Sequence, residues 1–299
     1  MSTPLSPLIS ALDLSARLRQ ASERRHTRVV DCRFNLADTA AGRLAWQQGH
    51  IPGAVYAHLD QDLSGAKTGR NGRHPLPEGE AFARTLQRWG VQADTLVVAY
   101  DDAGGMFAAR LWWMLKHWWG HARVVVLDGG WQAWQQAHAP VESASGTPAS
   151  EPTPAHPSTA EPLPRSAVAS EPVTYADVLA SLQAGGPMQL IDARAADRFQ
   201  GQNETLDPVG GHIPGALNRF FKLNLNESGG FKPADTLREE FTALLGSLGA
   251  DCVVHQCGSG VTACHNLLAM DLAGLPGSRL YAGSWSEWCS DPARPVVCG

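Results

Sequence analysis

Short unbroken runs of β-branched and other apolar residues recur along the chain: Val29-Val30, Leu96-Val97-Val98-Ala99, Val124-Val125-Val126-Leu127, Leu190-Ile191 and Val253-Val254. Runs of this length without polar alternation suit strands covered on both faces, as in a parallel sheet. Between them lie stretches with helical spacing. Gly79 to Trp89 has one apolar face and closes on Gly90, whereas Met106 to Trp119 is apolar nearly all round, which predicts a buried helix stopped by Gly120. Cys264 to Met270 reads as a further helix, and Asp60 to His74 is a polar loop rich in glycine and basic residues that ends on Pro75-Leu76-Pro77. Strands alternating with helices predict an α/β fold, each sheet mostly parallel and flanked by helices.

The pattern occurs twice. Leu190-Ile191-Asp192-Ala193-Arg194 repeats Val29-Val30-Asp31-Cys32-Arg33, and Gly211-His212-Ile213-Pro214-Gly215-Ala216 repeats Gly49 to Ala54 almost letter for letter. Val253 to Cys257 stands where Val97 to Asp101 stood, and Ala282-Gly283-Ser284-Trp285 where Asp128-Gly129-Gly130-Trp131 stood. The two copies flank a stretch of proline, serine, alanine, threonine and glutamate. This predicts tandem domains at 1–140 and 173–299 joined by a linker at 141–172. The recurrence of His50 as His212 in both copies points to a shared structural task such as holding the turn. Trp131, Trp134, Trp285 and Trp288 read as helix-packing anchors, and Trp285 is also a candidate wall of a site.

Composition narrows the function. A chain of 299 residues with 43% hydrophobic content can form two cores, and a formal charge of −5 gives no reason to expect nucleic acid or an anionic membrane as partner. The N-terminal stretch lacks the uninterrupted apolar region of a signal peptide, and no run approaches a membrane span, so a cytoplasmic protein is expected. Six cysteines, five of them after residue 251, do not have the spacing of a disulfide framework. No CxxC pair accompanies Cys252, Cys257, Cys264, His255 and His265, so neither a metal site nor a cofactor is expected. Cys32, Cys289 and Cys298 read as ordinary packed or surface thiols.

The segment Cys257-Gly258-Ser259-Gly260-Val261-Thr262-Ala263 joins a strand to a helix. Two glycines let the backbone curl so that successive N–H groups point inward, and the helix adds the positive end of its dipole. Such a loop favours a thiolate nucleophile at Cys257. The competing reading is a structural cysteine beside a loose turn. Duplication supplies a control, because the matching position in the first copy is Asp101.

The duplicated domain, the paired Gly-His-Ile-Pro-Gly-Ala segments and the Cys257 loop together resemble the two-domain rhodanese family of sulfurtransferases over nearly the whole chain outside the linker. The resemblance implies transfer of sulfane sulfur through a Cys257 persulfide, from 3-mercaptopyruvate or thiosulfate to cyanide or a thiol such as thioredoxin or glutathione. The loop sequence is similar to that of the 3-mercaptopyruvate enzymes, whereas thiosulfate enzymes of the animal type carry basic residues just after the cysteine. N–H groups of Gly258, Gly260, Val261 and Thr262 would stabilise the sulfur, and Arg198, before Phe199, would hold the donor's anionic end. Ser259, His74 and Asp60 match a Ser-His-Asp relay. In mercaptopyruvate enzymes a second arginine follows in a Glu-Pro-Arg segment, but here the stretch reads Glu204-Thr205-Leu206-Asp207-Pro208. Alternatives are a strict thiosulfate:cyanide sulfurtransferase and a non-catalytic sulfur-carrier module. A cysteine phosphatase needs five residues between its cysteine and a phosphate-gripping arginine, and that place holds Ala263.

Overall fold

The computed structural model describes residues 6–144 and 161–299. They fall into two compact units, Met1–Ser64 with Pro77–Ser170, and Gly65–Leu76 with Glu171–Gly299. Part of the expected linker, 145–160, lies outside the described residues. Beyond it, Arg165 Nε donates to the Trp118 carbonyl and Ser166 N–H to that of Trp119, so this stretch runs along the first unit.

The first unit holds a five-stranded sheet built from β1 (Leu8–Ile9), β2 (Thr27–Asp31), β3 (Val55–Tyr56), β4 (Leu96–Tyr100) and β5 (Val124–Leu127). Its order is β1-β5-β4-β2-β3 and every pair is parallel. The second unit holds β6 (Gln189–Asp192), β7 (Leu217–Asn218), β8 (Val253–Gln256) and β9 (Arg279–Leu280) in the order β7-β6-β8-β9, again all parallel. Helices flank both sheets, the α/β architecture expected from the alternation of apolar runs. All residues of β4 and β8 are buried, which is why their sequences show no polar alternation.

The stretch Met106 to Trp119 differs from a single regular helix. It is α-helical over Ala108–Trp113 and then widens to a π-helix over Met114–Trp119. Gly120 ends it at φ 78°, its N–H bonded to the Leu115 carbonyl. An apolar pattern fixes burial but is blind to this change of winding, because both windings bury residues of the same kind.

The repeated motifs have identical tasks in the two units. Each Ile-Pro-Gly segment makes a tight turn with its glycine in the left-handed region, Gly53 at φ 74° and Gly215 at φ 75°, closed by N–H bonds from Ala54 to Ile51 and from Ala216 to Ile213. His50 Nδ1 lies 2.7 Å from the Trp46 carbonyl and stacks on that indole. His212 Nδ1 lies 2.8 Å from the Phe199 carbonyl and stacks on that ring. The Asp-x-Arg signature is a buried ion pair. Arg33 donates to both carboxylate oxygens of Asp31 and to the Gly49 carbonyl, and Arg194 does the same to Asp192 and Gly211. Each guanidinium also covers an indole, Arg33 over Trp131 at 4.6 Å and Arg194 over Trp285 at 4.7 Å.

Removing one member of such a pair strands the other in the interior. Asp31→Ala, which also removes the acceptor of the Tyr100 hydroxyl, is expected to destabilise the first unit by about 3–5 kcal/mol. Urea unfolding followed by tryptophan fluorescence measures this as a shift of that unit's transition to lower denaturant.

Candidate active site

The segment after β8 is shaped by its contacts with residues 281–286. Gly260 has φ 75°, and a Cβ built on it would stand 2.2 Å from the Ala282 carbonyl oxygen, so both conformation and space require glycine. The Cys257 N–H donates to Ser284 Oγ at 3.1 Å, and that hydroxyl in turn donates to the Tyr281 carbonyl. The carbonyls of Cys257 and Gly258 accept from Trp285 N–H at 3.0 Å and Ser286 N–H at 2.9 Å. Among the described residues, the N–H groups of Gly258, Ser259, Val261 and Thr262 donate to no protein acceptor. The helix Ala263–Leu272 starts directly after them. This is the arrangement of an anion site at a helix N-terminus.

The first unit shows what the same turn does when the chain supplies its own anion. Asp101, in the Cys257 position, accepts N–H bonds from Ala103 and Gly105 on one oxygen and from Phe107 and Ala108 on the other, all at 2.8–2.9 Å. Burial pushes its carboxyl above the ordinary range, and these four bonds oppose that rise. In the second unit the position carries a thiol, 2% exposed.

Two guanidinium groups stand over the loop. A methyl group built on Gly258 would meet Arg73 Nη2 at 2.7 Å and Arg198 Nη2 and Nη1 at 3.6 and 3.8 Å. Both arginines are held by acids from the stretch 201–210. Arg198 Nη2 donates to the two carboxylate oxygens of Glu204 at 2.8 Å, and its Nε adds a third bond. Arg73 Nη1 pairs with Asp207 Oδ1, while Asp207 Oδ2 lies 3.7 Å from Arg198. Burial pushes the Asp207 carboxyl above its usual range against the pull of Arg73. Burial acts the same way on Glu204, but the bonds from Arg198 and from the Leu206 and Asp207 N–H groups outweigh it and leave that pKa lowered.

His74 follows Arg73 in the same segment. Its Nδ1 lies 2.7 Å from Ser259 Oγ, a hydrogen bond between groups 185 residues apart that are both buried. The segment is fastened to the second unit by the Arg73 N–H, which donates to Ser286 Oγ at 3.0 Å. The second unit therefore unites Cys257, Ser259, His74, Arg198 and the loop residues Gly258, Gly260, Val261 and Thr262. Asp60 belongs to the first unit, where its N–H donates to His58 Nδ1. Trp285 is fully buried and its backbone N–H donates to the Cys257 carbonyl, so it holds the loop. Arg73 went unnoticed in the sequence, and its signal was the basic character of the loop ending at His74.

The other thiols differ in setting. Burial and the nearby Asp101 and Asp31 carboxylates raise the Cys32 pKa, and burial raises that of Cys289 to about 11.

The model of the rhodanese-like domain matches residues 14–137 and 175–291. The chain belongs to the rhodanese family, and it is a sulfurtransferase. A probable 3-mercaptopyruvate sulfurtransferase of Pseudomonas aeruginosa is 44% identical over 295 residues, covering 98% of each chain. Rat thiosulfate sulfurtransferase is 34% identical, over 94% of this chain and 91% of the relative. Among solved structures, SseA from Escherichia coli, a 3-mercaptopyruvate sulfotransferase by its description, superposes with a TM-score of 0.71 at 30% identity, over 94% of this chain and 99% of its own.

A side chain at residue 258 would displace the Arg73 guanidinium from the loop, while Arg198 would stay in ordinary contact with the added group. Gly258→Ala is expected to lower the donor kcat/KM of this sulfurtransferase by about 10²-fold. Steady-state assay with donor varied checks the loss, and an unchanged thermal midpoint assigns it to the site.

Proposed function

We propose that the protein moves sulfane sulfur from 3-mercaptopyruvate or thiosulfate to an acceptor through a persulfide on Cys257. The observation that carries this reading is the pair of guanidiniums, Arg73 and Arg198, over a loop whose N–H groups surround a cysteine. Arg73 takes the part of the second arginine that the Glu204 to Pro208 stretch lacks. Two guanidiniums beside one nucleophile suit a small donor with an anionic end.

In the first half-reaction the Cys257 thiolate attacks the outer sulfur of the donor. With thiosulfate the S–S bond breaks, its electron pair leaves with sulfite, and the enzyme retains a persulfide anion. With 3-mercaptopyruvate the C–S bond breaks and its pair passes to carbon as the enolate of pyruvate. The proton of the donor thiol must then reach that carbon. Ser259 and His74, joined by their 2.7 Å hydrogen bond, are the groups for this transfer, with Asp60 as the acid of the relay. Loop N–H groups from Gly258, Gly260, Val261 and Thr262 stabilise the anionic sulfur. In the second half-reaction a thiol such as thioredoxin or glutathione, or cyanide, attacks the outer sulfur of the persulfide and restores the thiolate. Residues 173–299 form the catalytic domain, completed by the Gly65–Leu76 segment, the rest of 1–140 forms the non-catalytic one, and 141–172 joins them. A reducing cytoplasm, which keeps acceptor thiols available, is the proposed location. Among the described residues, no helix is long and apolar enough to cross a membrane.

Treatment with either donor should add one sulfur atom to the Cys257 peptide, visible by mass spectrometry and absent in Cys257→Ser. An unmodified peptide in turning-over enzyme would rule the mechanism out. Ser259→Ala should lower kcat/KM for 3-mercaptopyruvate by about 10²–10⁴-fold and leave thiosulfate little changed, because sulfite departs without a proton. Equal losses with both donors would remove Ser259 from the proton path.

A further inference from the structure

We propose that Asp207 is a specificity-determining residue, whose carboxylate on Arg73 lowers the positive charge facing the donor and favours a monoanion over a dianion. The inference rests on the sulfur-transfer reading and goes on to say which donor charge the site selects.

The two copies of the fold isolate the feature. In the first unit four positions separate the aromatic residue Trp46 from His50, and in the second thirteen separate Phe199 from His212, although the histidine bonds the aromatic residue's carbonyl in both. The second unit is thus nine residues longer at this point, and the added stretch brings Glu204 and Asp207. The two acids are used differently. Both oxygens of Glu204 are occupied, by Arg198, by Arg194 and by the N–H groups of Leu206 and Asp207, so this residue holds Arg198 and its own loop in place. Asp207 spends one oxygen on Arg73, and its other oxygen, although buried, accepts no hydrogen bond among the described residues. That oxygen lies 3.7 Å from Arg198 Nη2, so the carboxylate faces both guanidiniums while bonding only one.

The formal charges then decide which donors gain. Arg73 and Arg198 are balanced by Glu204 and Asp207, and Arg194 is balanced by Asp192. A Cys257 thiolate makes the set net negative. Coulomb energy scales with the charge of the entering group, so each unit of positive charge withheld costs a dianion twice what it costs a monoanion. Thiosulfate is a dianion at neutral pH and 3-mercaptopyruvate a monoanion.

The test measures donor kcat/KM in wild type, Asp207→Asn and Arg73→Gln for thiosulfate, 3-mercaptopyruvate and methanethiosulfonate. The last is a monoanion that, like thiosulfate, gives up a sulfane sulfur from a sulfonyl group. Asparagine keeps the shape of Asp207 and an oxygen for Arg73 while removing the charge. Asp207→Asn should raise the preference for thiosulfate over each monoanion by about tenfold, and Arg73→Gln should lower it by a similar factor. Unchanged ratios, even with altered absolute rates, overturn the proposal. A shift against 3-mercaptopyruvate but not methanethiosulfonate also overturns it, because leaving-group chemistry and not charge would then be selected. If Asp207→Asn does not fold, the Arg73→Gln ratios decide alone. Wild-type Cys257 that takes sulfur from no donor defeats the sulfur-transfer reading itself, whereas uptake with unchanged ratios defeats the charge inference only.

Discussion

A loop of converging backbone N–H groups at the end of a central parallel strand must hold something negative, and the two halves of this chain meet that constraint in different ways. In the first half Asp101 folds its own carboxylate into the loop and accepts four N–H bonds. In the second half Cys257 takes that position, and neighbouring N–H groups have no acceptor from the protein among the described residues. One loop is closed by its own chain and the other is not. The positive φ of Gly260, the Ser284 hydroxyl on the Cys257 N–H and the short step to the helix Ala263–Leu272 all maintain that opening.

Around this loop the duplicated scaffold separates what is architectural from what is chemical. The Asp-x-Arg pair, the Ile-Pro-Gly turn and the stacked histidine recur in both halves, so they belong to the scaffold that the two copies share. The differences are few and cluster at one place: cysteine for Asp101, the added stretch that carries Glu204 and Asp207, and the Gly65–Leu76 segment with Arg73 and His74. All three lie in the second unit with Cys257. His212 links the two sets, because the carbonyl it bonds belongs to Phe199, directly after Arg198.

Much of this was legible in the sequence, for identifiable reasons. Fully buried parallel strands leave unbroken apolar runs, and a duplication makes each motif its own confirmation, so the α/β class and the position of Cys257 followed from local patterns. Arg198 and Ser259 were legible by resemblance. Arg73 was not, because it meets Asp207 across 134 positions in a segment without periodicity. The stretch Glu204 to Pro208 looked like a loss, the absence of an expected arginine. In three dimensions it supplies the acids that hold two arginines, a relation that spacing along the chain does not encode. The π-helical turn at Met114–Trp119 was invisible for the opposite reason, since its residues satisfy either winding.

Hydrogen bonding differs at the two equivalent strand ends that precede Asp101 and Cys257. Tyr100, at the end of β4, donates its hydroxyl to Asp31 and accepts from the Ile51 N–H. Gln256, its counterpart at the end of β8, is fully buried, yet neither amide atom has a hydrogen-bond partner among the described residues. Buried polar atoms in this state cost stability. The first half, with Asp101 and Tyr100 fully engaged, has no such vacancy at its strand end. The first half has unbonded buried atoms elsewhere, among them Arg28 Nε, Ser64 Oγ and Trp112 Nε1, so the contrast between the two copies is confined to the strand ends.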